Sequence, residues 1–349
     1  MDRSSIRGTS VGSEVIAEGN PARVGDAPDA AANRPRVTPP CGSAGRARRV
    51  AESAAPTMSH ARSLSVLHVA VLLFGLAGLF GVWLTLSPIA IVLGRTTIAA
   101  LALAAVAMVL GDLRRPAAGL AINGAVLAFH WLAFFVAIRV AGVAVGLLGF
   151  ASFPLWTLVL ERSLDERRAV RGDWIVAGLV VAGLVLTVPP FDRREVVLHG
   201  LAWGVASGAT FAWLSVRNRR FAREVPARAV ALWQNTFAAL VLVPVAALWP
   251  GALRWPTAEE AGLLLALGLG STALAHTLFV AALARVTAHV ASVVAALEPV
   301  YGIALASAFL GERPTPGMLA GCALLVAAAV VASRSAGAPP AGPAGRMPA

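Results

Sequence analysis

Residues 130–166 read HWLAFFVAIRVAGVAVGLLGFASFPLWTLVLERSLDE, and residues 276–312 read HTLFVAALARVTAHVASVVAALEPVYGIALASAFLGE. Each stretch opens on a histidine, His130 or His276, nine residues before an arginine, Arg139 or Arg285. A span rich in small residues follows, with a proline inside it (Pro154, Pro299) and a glutamate near its end (Glu166, Glu312). The two copies slip by one residue at the prolines. An ordered set of this kind, met twice, reads as an internal repeat. Both copies are far too apolar for a soluble loop, so the repeat is read as membrane-spanning helix.

The rest of the chain agrees. Of 349 residues, 58% are hydrophobic and 13% charged, with a mean hydropathy of +0.75. A soluble domain carries about twice that charged fraction. Apolar runs follow one another from Ser65 to Ser333, and roughly 20 such residues make one helical crossing. Charge clusters and Gly/Pro breaks divide them into ten spans, near 66–86, 88–110, 117–137, 141–161, 173–190, 198–216, 228–249, 259–284, 287–310 and 315–333. The expected fold is therefore all-α and integral to the membrane. Its domains are a first five-helix repeat over 66–190 and a second over 198–333. Repeats with an odd number of spans enter the bilayer in opposite directions, which is the inverted-repeat architecture of many secondary transporters.

Residues 1–64 are a different material, rich in Ala, Arg, Pro, Gly and Ser without periodicity, and read as a disordered tail. Met58, just before the first apolar run, offers an alternative start. Residues 334–349 read as a second disordered tail. The net charge of +11 does not point to nucleic acid: all 29 basic residues are Arg, and they lie between the apolar runs. Counted as topology signals, twelve arginines fall in one set of connections and five in the other. That asymmetry predicts an inner (cytoplasmic) membrane protein with both termini in the cytoplasm. Cys41 and Cys322 form no metal spacing and no disulfide framework. No cofactor and no metal are expected.

On these residues the chain resembles the EamA-type branch of the drug/metabolite transporter superfamily. The resemblance rests on Arg95 in the second span, the His130-Trp131-x-x-Phe134-Phe135-x-Ala137-Ile138 run, and Pro154 with Glu166-Arg167. In the second half it rests on Leu297-Glu298-Pro299-Val300, Gly311-Glu312-Arg313 and Gly321. It covers about 66–333 and implies ten helices, a central cavity, and export of small polar metabolites or drugs. No nucleotide-binding loop is present, so an ion or substrate gradient would drive alternating access.

Charge within the hydrocarbon is costly, at least ~2.5 kcal/mol, so it usually faces a cavity or a partner. Glu298 falls about eleven residues, ~16 Å, into the ninth span, close to the midplane. Pro299 beside it loosens the helix. A carboxylate there suits an amine, a cation or a proton; the bland alternative is a structural glutamate held by hydroxyls or indoles. Arg95 suits a substrate carboxylate, or it ties helices together. His130 and His276 suit a proton-coupled gate, or they are neutral and hydrogen-bonded. Trp131 beside His130 is a candidate cavity wall. Gln234, Asn235 and Asn123 are amides that either read substrate or bind helices together. Trp203 and Trp213 offer a stacking wall or simple packing. The Gly142/Gly146, Gly200/Gly204/Gly208 and Gly317/Gly321 pairs signal close helix packing and are compatible with a homodimer.

The expected partners are a small-molecule substrate and the lipid bilayer. A lipid-linked sugar flippase is the alternative within transport. An intramembrane enzyme is the alternative outside it, and no H-E-x-x-H or G-x-S-x-G motif supports that.

Overall fold

The computed structural model describes residues 59–164, 169–187, 194–310 and 313–335, all within the compact unit Thr57–Ala349. Glu166, Arg167, Gly311, Glu312, Cys41, Met58 and almost all of both expected tails lie outside the described residues. The described residues form helices throughout: α1 (His60–Trp83), α2 (Pro88–Val109), α3 (Leu120–Phe150), α4 (Phe153–Leu164), α5 (Arg171–Thr187), α6 (Arg194–Glu224), α7 (Ala227–Leu248), α8 (Ala258–Gly268), a π turn (Leu269–Leu274), α9 (Ala275–Leu283), α10 (Ala288–Ala295), α11 (Glu298–Leu310) and α12 (Pro316–Ser335).

Nine segments among them are long and apolar enough to cross a membrane. The expected fifth span, 173–190, corresponds to α5, whose 17 residues stop where the described residues stop. At 1.5 Å per residue that is ~26 Å, at the short end of what a crossing needs.

Helix starts follow local chemistry. Ser59, Ser87, Thr257 and Thr287 each accept a backbone N–H with the side-chain oxygen at the helix start. Pro88 opens α2 where its missing N–H costs nothing. Thr257 and Glu260 complete a capping box at α8. Two helices run past their apolar stretches. The first begins at His60, so residues 60–64, read as tail, are helical. α6 extends to Glu224, well beyond the expected end at 216. Hydropathy marks the hydrocarbon, whereas a capped or arginine-rich helix continues into the interface.

Breaks within spans also have causes. Gly142 has φ 84 and ψ 166, a backbone that favours glycine. The chain doubles back there: a Cβ on Gly146 would lie 3.2 Å from the amide nitrogen of Ile138. Pro154 and Pro299 each sit at the start of a helix just after a break, at 151–152 and 296–297.

The helices pack in reciprocal pairs. α3 and α4 run along α6, while α9 and α11 pack on α1. α2 pairs with α7, and α5 with α12. Of the glycines expected to mediate packing, Gly146, Gly200, Gly204, Gly208, Gly317 and Gly321 do so within the chain, whereas a Cβ on Gly142 would meet nothing within 4 Å. A Cβ on Gly204 would meet the Gly146 carbonyl at 2.8 Å, and one on Gly208 the Phe150 carbonyl at 2.6 Å. Gly204→Val is expected to cost ~1–3 kcal/mol by overpacking, read as a lower melting temperature in detergent. An unchanged melt would show that this crossing is not tight in solution.

Candidate functional site

Arg95 lies two turns into α2 and is 2% exposed. It is held by the π turn, which carries one residue more than an α turn needs. Nε donates to the Thr272 side-chain hydroxyl at 2.9 Å, and one terminal nitrogen donates to the Ser271 carbonyl at 3.1 Å. Thr272 in turn donates to the Leu267 carbonyl. The guanidinium carbon lies 4.1 Å from the Trp131 ring centre, a cation–π arrangement. The other terminal nitrogen has no hydrogen-bond partner among the described residues.

Glu298, 8% exposed, opens α11 immediately after the break at 296–297. Its carboxylate has no hydrogen bond and no ion pair among the described residues. It interacts electrostatically with Arg95 without touching it. An uncommitted guanidinium nitrogen and an uncommitted carboxylate thus share one space.

That space is a central cavity of about 50 Å³. Arg95, His130, Trp131, Asn218, His276 and Glu298 line it together with Phe74, Phe134, Phe150, Phe211 and Phe279. The aromatic rings contact one another in sequence, Phe134–Phe150 at 5.5 Å, Phe150–Phe211 at 5.4 Å and Phe211–Phe279 at 5.3 Å between centres. They make a stiff apolar wall around a few polar groups, the usual composition of a small-molecule site.

His130 Nδ1 lies 2.9 Å from the Ser207 carbonyl. The Ser207 hydroxyl lies 3.0 Å from the same nitrogen, so the backbone and side chain of one residue hold this edge of the ring. The ring stacks on Phe211 at 5.1 Å. His276 Nδ1 accepts from the Asn235 amide at 3.4 Å, and its ring meets Trp131 edge-on at 6.1 Å. The two histidines, at equivalent positions of the two copies of the sequence repeat, line the same cavity.

Gln234 and Asn235 do not reach the lining. Adjacent on α7, they point to different partners. Gln234 bonds Asn218, and Asn235 donates to the Ala231 carbonyl. Asn123 donates to Asn218 at 3.0 Å, so three amides from α3, α6 and α7 form one buried cluster. Of these only Asn218 lines the cavity. Sequence reading assigned it to a connection, because Arg217, Arg219 and Arg220 surround it. Trp203 pairs with Phe129, and Trp213 stacks with Arg217; neither lines the cavity. Pro154 and Pro299 break helices beside it, and Pro299 lines a second cavity.

That second cavity, of about 280 Å³, lies between α1, α3, α11 and α12. Glu298 lines both cavities. α1 separates them: Phe74 and Ala77 face the central one, Gly75, Gly78 and Val82 the second. At Gly75 α1 lies directly against α11, since a Cβ there would lie 3.2 Å from the Glu298 carbonyl. At the end of the bundle formed by the α1–α2 and α7–α8 connections, Arg254 holds Glu260 through both carboxylate oxygens at 2.5 and 2.7 Å, with Thr85 bridging. The Glu260 carboxylate holds the Arg254 proton more firmly than usual, raising its pKa.

Comparison with known proteins finds a family match over part of the chain. Residues 198–334 match the EamA-like transporter family. The uncharacterized transporter YwfM of Bacillus subtilis (strain 168) is 28% identical over 202 residues, 57% of this chain and 68% of that protein. The threonine/homoserine exporter RhtA of Escherichia coli (strain K12) is 32% identical over 167 residues, 48% of this chain. The chain spans 55% of RhtA's length. A solved crystal structure at 23% identity superposes with a TM-score of 0.69 over 80% of this chain and 98% of that one. The shared fold is therefore nearly complete on that side. The chain is thus similar to EamA-type transporters of the drug/metabolite transporter superfamily, with the family match confined to residues 198–334, and it is a multi-pass membrane protein.

Proposed function

We propose that this chain exports zwitterionic amino acids, or small metabolites of the same charge pattern, across the inner membrane by alternating access. The observation that carries the reading is the central cavity, where the Glu298 carboxylate and one Arg95 nitrogen, neither hydrogen-bonded among the described residues, face one aromatic-walled space. A buried charge without a partner is expensive. A ligand with an ammonium for Glu298 and a carboxylate for Arg95 would satisfy both groups at once. The name of RhtA, threonine/homoserine exporter, supports the same substrate class. A lipid-linked sugar carries a diphosphate, for which one guanidinium beside a carboxylate is a poor match. A simple cation would leave Arg95 unsatisfied. Transport, not catalysis, is the activity proposed.

The architecture proposed with it is ten helices in two inverted five-helix halves, 66–190 and 198–333, with α5 as the fifth crossing. The reciprocal packing supports this: α1 meets the α9–α11 region as α6 meets α3 and α4, while α2–α7 and α5–α12 pair with their own counterparts. A two-fold axis in the membrane plane produces that exchange. The arginine asymmetry supports cytoplasmic termini.

The test is efflux. Cells expressing residues 58–349 and loaded with threonine-containing dipeptides are expected to release several-fold more amino acid than cells carrying an empty vector. Equal release across the amino acids, with the protein present in the membrane, would sink the substrate class.

A further inference from the structure

The second cavity is larger than the central one, and among the described lining residues the two share Glu298 alone. Its other polar side chains are Thr187 and Arg313, and the remaining lining is apolar. In the proposed orientation the ends of α1 and α5 and the start of α12, which contribute Val82, Thr187 and Met318, lie at the outer face. The two cavities therefore sit in series, central then outer, with one carboxylate in the wall of each. Between them α1 touches α11 through Gly75, where a Cβ would meet Tyr301 Cβ at 3.1 Å and the Gly302 nitrogen at 3.3 Å. One turn further along α1 the contact has ended: a Cβ on Gly78 would meet nothing within 4 Å. The helices seal at the level of Glu298 and part beyond it.

We propose that the second cavity is a release-side site for the amine end of the substrate, which Glu298 serves in turn from both cavities. The proposal rests on the reading of the chain as an exporter of amine-bearing metabolites. Among the described residues the carboxylate has no hydrogen bond or ion pair to break when it turns from one space to the other. The 280 Å³ beyond it has room for a whole amino acid. Arg313, exposed at the mouth, offers a counter-charge for the carboxylate end as the substrate leaves. A substrate amine can thus pass outward without giving up its anion until it meets water.

Neighbouring residues of α1 supply the test. Gly78→Cys and Ala77→Cys are introduced separately into the full chain with Cys41→Ser and Cys322→Ser, in right-side-out membrane vesicles. A cationic, membrane-impermeant thiol reagent added outside is expected to label Gly78→Cys at least about tenfold faster than Ala77→Cys, as access decides thiol reactivity. Phe74→Cys replaces Ala77→Cys if the latter does not reach the membrane. Ethylammonium is expected to slow labelling of Gly78→Cys, and Glu298→Gln to abolish that slowing. Equal labelling of both positions overturns the wall. Labelling of Gly78→Cys only by a permeant maleimide overturns the cavity as an aqueous route. No slowing by ethylammonium overturns the amine site. Slowing by ethylammonium but not by threonine keeps this site and counts against the amino-acid reading instead.

Discussion

Glu298→Gln is expected to lower efflux at least tenfold while leaving the amount of protein in the membrane unchanged. A hydrogen bond to a charged group contributes about 1.5–3 kcal/mol, and the substrate ammonium would lose that contribution. No hydrogen bond or ion pair is lost with the carboxylate, because it has none among the described residues, although Arg95 loses a counter-charge that it does not touch. The melting temperature in detergent should change little, since removing one buried charge is offset by leaving Arg95 without its neighbour. Glu298→Asp, which keeps the charge on a shorter arm, should recover part of the efflux. Full efflux from the Gln variant would remove the carboxylate from the transport cycle and with it the central site as drawn.

Arg95→Lys is the second substitution with a large expected effect. Lysine keeps the charge but not the planar fork. It cannot both hold the Ser271 carbonyl and Thr272 with two nitrogens and present a third from a plane stacked on Trp131, as Arg95 does. Efflux is expected to fall by about tenfold or more, the loss of one charge-assisted bond. Anchoring and recognition are separated by competition between threonine and threoninamide, which lacks the carboxylate. If Arg95 reads the carboxylate, the wild-type preference for threonine shrinks in the variant. If Arg95 only ties α2 to the π turn, the melting temperature falls and the preference stays, and the recognition role is lost.

Much of the fold is legible because hydrophobic crossings and caps are local. Ser87-Pro88 and Thr257-x-x-Glu260 announce helix starts within four residues. The break at Leu297-Glu298-Pro299 follows from proline chemistry alone. What escapes is whatever depends on distant partners. Asn218 is a cavity residue only because α6 carries it beyond the apolar run to meet Asn123 and Gln234. Gln234 and Asn235 look alike as buried amides, yet one turns to Asn218 and the other to His276. Arg95 has its partners more than 170 residues away, so the sequence shows a costly charge without showing what holds it. The division of α1 into two lining faces is equally invisible, since Phe74, Gly75, Ala77 and Gly78 are all ordinary residues of an apolar helix.

The π turn at Leu269–Leu274 has a consequence for how the chain can tolerate change in length. An α-helix advances about 100° per residue, and the π turn absorbs one residue in excess of that phase. Deleting one residue there would let the ladder close as a regular helix without a gap. Because the turn already absorbs that residue, the side chains beyond it would keep their face, and His276 and Phe279 would stay on the cavity they now line. Arg95 would instead lose the Ser271 carbonyl that holds it. The site is thus tied to a count of residues as well as to their identity, and a single-residue deletion in this turn strikes Arg95 while leaving the rest of the wall in place.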